Sequence, residues 1–121
     1  MARIDIYEGM LVLRLSFVER RTGFVRGDAQ IPLSAIRAVR TVDDPWAELR
    51  GMRSPGTTLW KSLAVGTWRF PGGKDFVALH GHSPGVVVDL TGLEFARILY
   101  SSRDAEADVT WIDASRPTFP F

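Results

Sequence analysis

Apolar and polar side chains alternate with a period of two near the start of the chain. The apolar members of this pattern are Leu11, Leu13, Leu15 and Phe17. Such alternation predicts a β-strand with one buried face. The segment from Arg3 to Tyr7 can pair with this strand across a turn at Glu8-Gly9, and the polar stretch from Glu19 to Gly27 is typical of a loop or hairpin end. We therefore expect the first part of the chain to be a meander of short strands.

The stretch from Gln30 to Val42 carries two periodicities. Apolar residues recur every three positions, as in a helix, while the second half is rich in β-branched residues, as in a strand. We interpret it as a helical turn at Pro32 to Ala35 followed by a strand. Asp44-Pro45 then predicts a helix of about one or two turns that ends near Gly51, because an Asp cap and a Pro in the first turn favour a helix start.

Four short apolar segments follow, and turn residues separate them. The segments are Leu63 to Phe70, Asp75 to His80, Val86 to Leu90 and Phe95 to Tyr100, with turns at Pro71-Gly72-Gly73, Ser83-Pro84-Gly85 and Thr91-Gly92. A spacing of roughly ten residues per strand and turn indicates an antiparallel sandwich or barrel. No crossover helix fits between these strands.

The C-terminal part of the chain has the pattern of a helix. Ala105, Val109 and Ile112 fall on one face at helical spacing. The acidic residues that follow Ser102 are favourable near a helix N-terminus. Arg116-Pro117 ends the helix, because a proline disfavours helical geometry in the residue before it.

Composition indicates one globular domain. The chain has 121 residues, of which 45% are hydrophobic and 24% are charged, close to ordinary globular proteins. We assign residues 1–116 to one domain and residues 117–121 to a tail. Asp5 and Glu8 break any export signal, and no apolar run approaches the roughly 20 residues of a membrane span. We expect a soluble cytoplasmic protein, and the lack of cysteine excludes disulfides and a thiol nucleophile.

The net charge of +1 gives no general attraction for nucleic acid or for an anionic membrane. One segment is nevertheless basic, since five cations occur in it with no acid between them. These residues are Arg50, Arg53, Lys61, Arg69 and Lys74. With Trp60 and Trp68 among them, they can hold an anionic head group or stack bases of a single strand. The competing interpretation is a solvated loop, with Trp68 in the core.

Two glycine-containing motifs resemble catalytic or phosphate-binding loops without fulfilling them. The sequence from Gly81 to Gly85 matches the nucleophile elbow G-x-S-x-G, but Pro84 has no N–H for an oxyanion hole, and a strand follows where a helix is required. Gly72-Gly73-Lys74 lacks the first glycine and the final hydroxyl residue of a P-loop. We expect neither motif to be functional.

The remaining polar candidates also have simpler explanations. His80 and His82 share one face of a strand and can supply two metal ligands, but the chain has no third histidine. Asp43-Asp44 can be imagined as an acid–base pair, yet acids before a proline are typical helix caps. We therefore expect no catalytic residue, no metal site and no cofactor.

From Gln30 onward the chain resembles the bacterial pleckstrin-homology-like domains. The segments that carry this resemblance are Ile31 to Ile36, Leu49-Arg50-Gly51, Ser54-Pro55-Gly56, Gly66 to Arg69, Val86 to Leu90 and Ser101 to Ala107. The resemblance implies two roughly orthogonal antiparallel sheets of about seven strands, closed by a C-terminal helix. Many members are attached to membrane spans, whereas this chain has none, and its terminal helix is shorter than usual.

The same resemblance bears on ligand binding. Eukaryotic relatives of this fold bind phosphoinositides through basic residues in the loop between the first two strands. The corresponding loop here would contain Glu19, Arg20, Arg21 and Arg26. No motif fixes that correspondence at the level of single residues.

Together, these patterns predict a non-catalytic interaction module. We expect it to bind another protein or a second copy of itself through a sheet edge or the open end of the barrel. The alternative is a peripheral binder of anionic lipid at the inner membrane face, which would use the basic segment or the three loop arginines. Nucleic acid is not an expected partner.

Overall fold

A computed structural model describes residues 2–15, 29–59 and 62–117. The described strands are β1 (Arg3–Tyr7), β2 (Met10–Arg14), β3 (Ala29–Pro32), β4 (Ile36–Val42), β5 (Met52–Leu59), β6 (Leu63–Phe70), β7 (Gly73–His80), β8 (Gly85–Leu90) and β9 (Arg97–Ser101). One helix, α1 (Ala105–Ser115), follows them, and 3-10 turns form at Leu33–Ala35 and Pro45–Glu48. The prediction of a mainly β chain with a C-terminal helix is confirmed.

The strands form two sheets. β1, β2 and β3 make a three-stranded sheet in that order, and the six-stranded sheet has the order β4-β8-β9-β7-β6-β5. All described pairs are antiparallel except β7 with β9, which is parallel. The described residues thus contain nine strands where the resemblance implied about seven.

The parallel pair arises because β9 inserts between β7 and β8. These two strands are consecutive in the chain, and the short connection at residues 81–84 spans the end of β9. Ser102 donates its N–H to the carbonyl of Pro84 across 3.0 Å, and His80 donates its N–H to Oγ of Ser101 across 2.9 Å. The segment that resembles a nucleophile elbow is therefore a structural connection that holds the end of β9.

The main core lies between the two sheets. One face of the six-stranded sheet contributes Phe76, Val88, Ile98 and Tyr100, while the small sheet contributes Leu11 and Leu13 among others. Helix α1 closes this core with the buried Ala105 and Ile112 and the half-buried Val109. The three apolar helix positions predicted from the sequence therefore form its inner face.

A second, smaller core lies on the opposite face of the six-stranded sheet. Trp46, on the 3-10 turn, packs there with Trp68 and Leu99, and its indole N–H donates to the carbonyl of Gly81 over 2.8 Å. The prediction that Trp68 is a core residue is confirmed. The prediction of a capping bond is wrong: Asp44 occupies the cap position, but its side chain makes no cap hydrogen bond.

No helix in the described ranges reaches the length and apolar character that crossing a membrane requires.

Candidate functional site

The edge strand β1 owes its geometry to the two-residue turn that follows it. Glu8 and Gly9 both have positive φ angles, 49° and 75°, as a type I′ hairpin turn requires. In such a hairpin the flanking pair, Tyr7 and Met10, is hydrogen-bonded, and bonded pairs then alternate along the strand. The main-chain groups of Tyr7, Asp5 and Arg3 consequently face β2, and those of Ile4 and Ile6 face outward from the sheet.

One of these outward-facing groups already has a substitute partner. The N–H of Ile6 donates to Oδ1 of Asp5 over 2.9 Å, and Arg14 Nη2 donates to Oδ2 of the same carboxylate over 3.0 Å. The Arg14 guanidinium first, and the Ile6 amide second, lower the pKa of Asp5 below its ordinary value. Asp5 therefore stays ionised at neutral pH and covers part of a strand edge that has no neighbouring strand among the described residues.

Each edge of the six-stranded sheet is obstructed over part of its length. β5 contains Pro55, and its register with β6 shifts between Arg53 and Gly56. At the other edge, the start of β4 is occupied by Arg116, which donates to the carbonyl oxygens of both Ile36 and Arg37, over 3.1 and 2.8 Å. Prolines, bulges and covering side chains are the devices that prevent strand addition.

β1 has neither a proline nor a bulge, and its covering side chain, Asp5, occupies the N–H of Ile6. Its five residues pair with β2 without a register shift, and none of them is proline or glycine. Its apolar residues Ile4 and Ile6 are only half-buried, and Tyr7 is 64% exposed. The other edge of the small sheet, β3, is four residues long and ends at Pro32. Among the described edges, β1 is therefore the one best suited to accept another strand.

A cavity of about 530 Å³ adjoins the start of β1. Its wall combines the first residues of β1 with the N-terminal end of α1, and its lining includes Ala2, Arg3, Ile4, Ser102, Arg103 and Asp108. The two acids of the cavity wall are bonded within the chain. Ser102 Oγ and the Tyr100 hydroxyl both donate to Asp108 Oδ2, over 2.7 and 3.0 Å, and Asp104 Oδ1 accepts from the N–H of Ala107 over 3.2 Å. The cavity thus provides space beside the edge strand without a free acid–base pair.

Two of the cations predicted to bind an anion are instead bound to carboxylates of the chain. Arg50 donates to both oxygens of Asp75, over 2.6 and 2.9 Å, and its guanidinium lies 4.0 Å from the centre of the Phe70 ring. Lys74 pairs with Glu94. This contact is the main cause that lowers the pKa of Glu94 below its ordinary value. These charges are largely neutralised locally.

The other described cations lie on both faces of the sheet. Arg53 lies opposite Trp68 in the β5–β6 register and shares its face of the sheet, whereas Arg69 follows Trp68 directly and lies on the opposite face. Both arginines are exposed. Lys61, together with Arg20, Arg21 and Arg26, lies outside the described residues. Arg69 does lie directly opposite Lys74 and shares its face, so the described cations divide between the two faces of the sheet and do not converge on one anion site.

Metal ligands do not cluster in the described ranges: no three His, Asp or Glu residues are placed to share an ion there.

Sequence reasoning missed both β1 as an open edge and the buried partner of Arg50. Asp75 is 1% exposed and also accepts a bond from Arg97, which lies 22 residues further along the chain. The alternation of Ile4 and Ile6 with polar residues was the available signal for β1, but the strand order needed to place it at an edge is not local information. Comparisons of the chain with family models, curated proteins and solved structures found no match.

Proposed function

We propose that this chain is a non-catalytic protein-binding module that takes an extended segment onto β1. The observation that carries the proposal is the uninterrupted β1 edge, where the N–H and C=O groups of Ile4 point away from β2. Adding a strand to such an edge satisfies main-chain groups whatever the partner's sequence, and the neighbouring cavity supplies contacts for its side chains. The internally paired polar groups around Asp108 give no support to an acid–base reaction.

The family assignment is part of this proposal. A mainly β chain of two sheets with a C-terminal helix supports a pleckstrin-homology-like domain, while the parallel pairing of β7 with β9 departs from the all-antiparallel sheets that the resemblance implies. The closed, orthogonal arrangement of the sheets remains a proposal. So does a cytoplasmic setting in a bacterial cell.

The alternative role as a binder of anionic lipid has less support. Arg50 and Lys74 are held by carboxylates, and Arg53 and Arg69 lie on opposite faces of the sheet. A lipid surface attracts cations that are presented together on one side. Co-sedimentation with vesicles of an anionic lipid tests this role, and binding that falls with salt and with Lys61→Glu would favour it over strand addition.

The proposed role is tested by removing one edge donor. Ile4→Pro deletes an N–H that faces outward, so it blocks strand addition without deleting a bond to β2. Ile4→Ala is the matched control, because it removes the same side chain and keeps the N–H. A protein captured by the immobilised chain, identified and then rebound in purified form, should bind the Ala variant and not the Pro variant. Equal binding to both variants would contradict the proposal.

A further inference from the structure

We infer that the segment bound by β1 is β1 of a second copy of the chain, paired antiparallel with Ile4 opposite Ile4 of the partner subunit. This inference rests on the proposed role of β1 as a binding edge. A two-fold axis through the two Ile4 residues joins the three-stranded sheets of two copies into one continuous sheet. The interface is isologous, so each contact occurs twice.

Side-chain parity limits the possible registers. Side chains of directly opposite residues lie on the same face of a sheet. Ile4 and Ile6 must therefore lie opposite residues whose side chains are on the core-facing side, if the apolar face is to continue across the interface. An antiparallel self-pairing satisfies this condition only when the axis passes through a residue. The candidate centres within β1 are therefore its individual residues.

Charge then selects one centre. With the axis at Ile4, Arg3 lies opposite Asp5 of the partner subunit on both sides of the axis, which gives two pairs of opposite charge. An axis at Asp5 places two carboxylates against each other, and an axis at Arg3 does the same with two guanidiniums. With the axis at Ile6 or at Tyr7, Arg3 of neither copy lies opposite Asp5 of the other. The sequence Arg3-Ile4-Asp5 is thus self-complementary in one register only.

The main-chain groups fit this register. The N–H and C=O groups of Ile4 point away from β2, so the two copies exchange a reciprocal pair of N–H to C=O bonds at the axis. The N–H of Ile6, which donates to Asp5 in the isolated chain, comes opposite Ala2 of the partner subunit and can donate to its carbonyl. That exchange frees Oδ1 of Asp5 for Arg3 of the partner subunit, while Oδ2 keeps its bond from Arg14. Ile6 of one copy then lies beside the cavity wall formed by Ala2 and Ile4 of the other.

The interface is small, because each copy contributes a single five-residue strand. Contacts of this size belong to weak and reversible complexes, with dissociation constants of about 10–100 µM. We therefore expect a monomer–dimer equilibrium that shifts with concentration.

Sedimentation velocity on complementary charge variants tests the inference. Arg3→Asp alone puts acids opposite acids and Asp5→Arg alone puts bases opposite bases, so each should raise the dissociation constant of its own dimer about tenfold. An equimolar mixture of the two variants restores opposite charges at both contacts. The mixture should therefore associate as the unaltered chain does. Arg37→Asp on the β4 edge is the matched control and should leave association unchanged.

Three outcomes would overturn the inference. A chain that stays monomeric at every concentration excludes self-pairing, and capture of another protein by the Ile4→Ala but not the Ile4→Pro variant would still support the proposed role. A dimer whose dissociation constant is unchanged by both charge reversals would place the contact on another surface. Association that both reversals weaken, without recovery in the mixture, excludes the register centred on Ile4. Melting of each variant by circular dichroism shows that all compared chains are folded.

Discussion

Arg97 donates a hydrogen bond from Nε to Oδ2 of Asp75 over 2.8 Å, and both side chains are almost completely buried. Arg50 reaches the same carboxylate from a more exposed position and donates two further bonds. Arg97 also donates to the main-chain carbonyl of Glu48. This group of contacts fastens the segment that carries Trp46 to strands β7 and β9.

Replacing Asp75 should therefore be strongly destabilising. Asp75→Asn removes the hydrogen-bonded counter-charge of the buried Arg97 guanidinium and leaves only the longer 3.7 Å pair with Glu48. A loss of about 3–5 kcal/mol in the free energy of unfolding is expected. Asp113→Asn is the control, since it removes the solvent-exposed partner of Arg116 and should cost less than about 1 kcal/mol. Denaturant unfolding of both variants measures the difference. Equal, small losses would show that the buried pair is not important for stability.

Gly51 directs the chain from Arg50 into β5, and no other residue fits there. Its φ is +79°, and a Cβ at this position would lie 2.0 Å from the carbonyl oxygen of Arg69. Gly72→Ala is a matched control, because φ is +95° but nothing lies within 4 Å of the added Cβ. The control should cost about 1–2 kcal/mol for backbone strain. Gly51→Ala should cost at least about 2 kcal/mol more, because a backbone atom must move.

The same denaturant unfolding measures both glycine variants. A Gly51→Ala chain as stable as the Gly72→Ala chain would contradict the close approach of Gly51 to the main chain of Arg69 in β6.

Local signals in the sequence were sufficient for most elements. The sequence predicted three kinds of feature to within a few residues: the turn at Glu8-Gly9, the turns between β6 and β7 and between β7 and β8, and the helix that ends before Pro117. These features were predictable because turn and cap preferences act over short distances. The position of β9 between β7 and β8 was not predicted. Parallel pairing depends on contacts between distant parts of the chain, and alternation alone does not specify which strands become neighbours.

The candidate site shows the same limit. Arg50 and Lys74 were predicted to belong to an exposed basic surface because no acid lies between them in the sequence. The fold brings Asp75 and Glu94 onto them. Likewise, the residues of β1 have the alternation of any half-buried strand. The proposal that β1 is a binding edge follows from the order of the strands and from the obstructions at Pro55 and Arg116, which only the folded chain displays.

Tyr100 predicts a dependence of stability on alkaline pH. Its hydroxyl is buried and donates to Asp108. Burial first, and the Asp108 charge second, raise the pKa of Tyr100 well above its ordinary value. Because the folded pKa exceeds the unfolded value of about 10, this contribution to stability is fully present below that pH. The contribution is lost as the pH rises from the unfolded pKa through the folded pKa of Tyr100.

The chain has two tyrosines, so Tyr7→Phe leaves Tyr100 as the only phenol. In this variant the near-ultraviolet absorbance of phenolate should appear together with the loss of the circular dichroism signal on raising the pH. Phenolate formed reversibly while the protein remains folded would contradict the burial of Tyr100.

Amide hydrogen exchange in β1, followed residue by residue by NMR at low and high protein concentration, tests the self-pairing account most directly. The account predicts that the Ile4 and Ile6 amides exchange more slowly as concentration rises, since they then donate to the second copy. The Asp5 and Tyr7 amides face β2 and should change much less. Ile4 and Ile6 amides that exchange at the same rate at every concentration, or protection that appears in β4 or β5 instead, would contradict it.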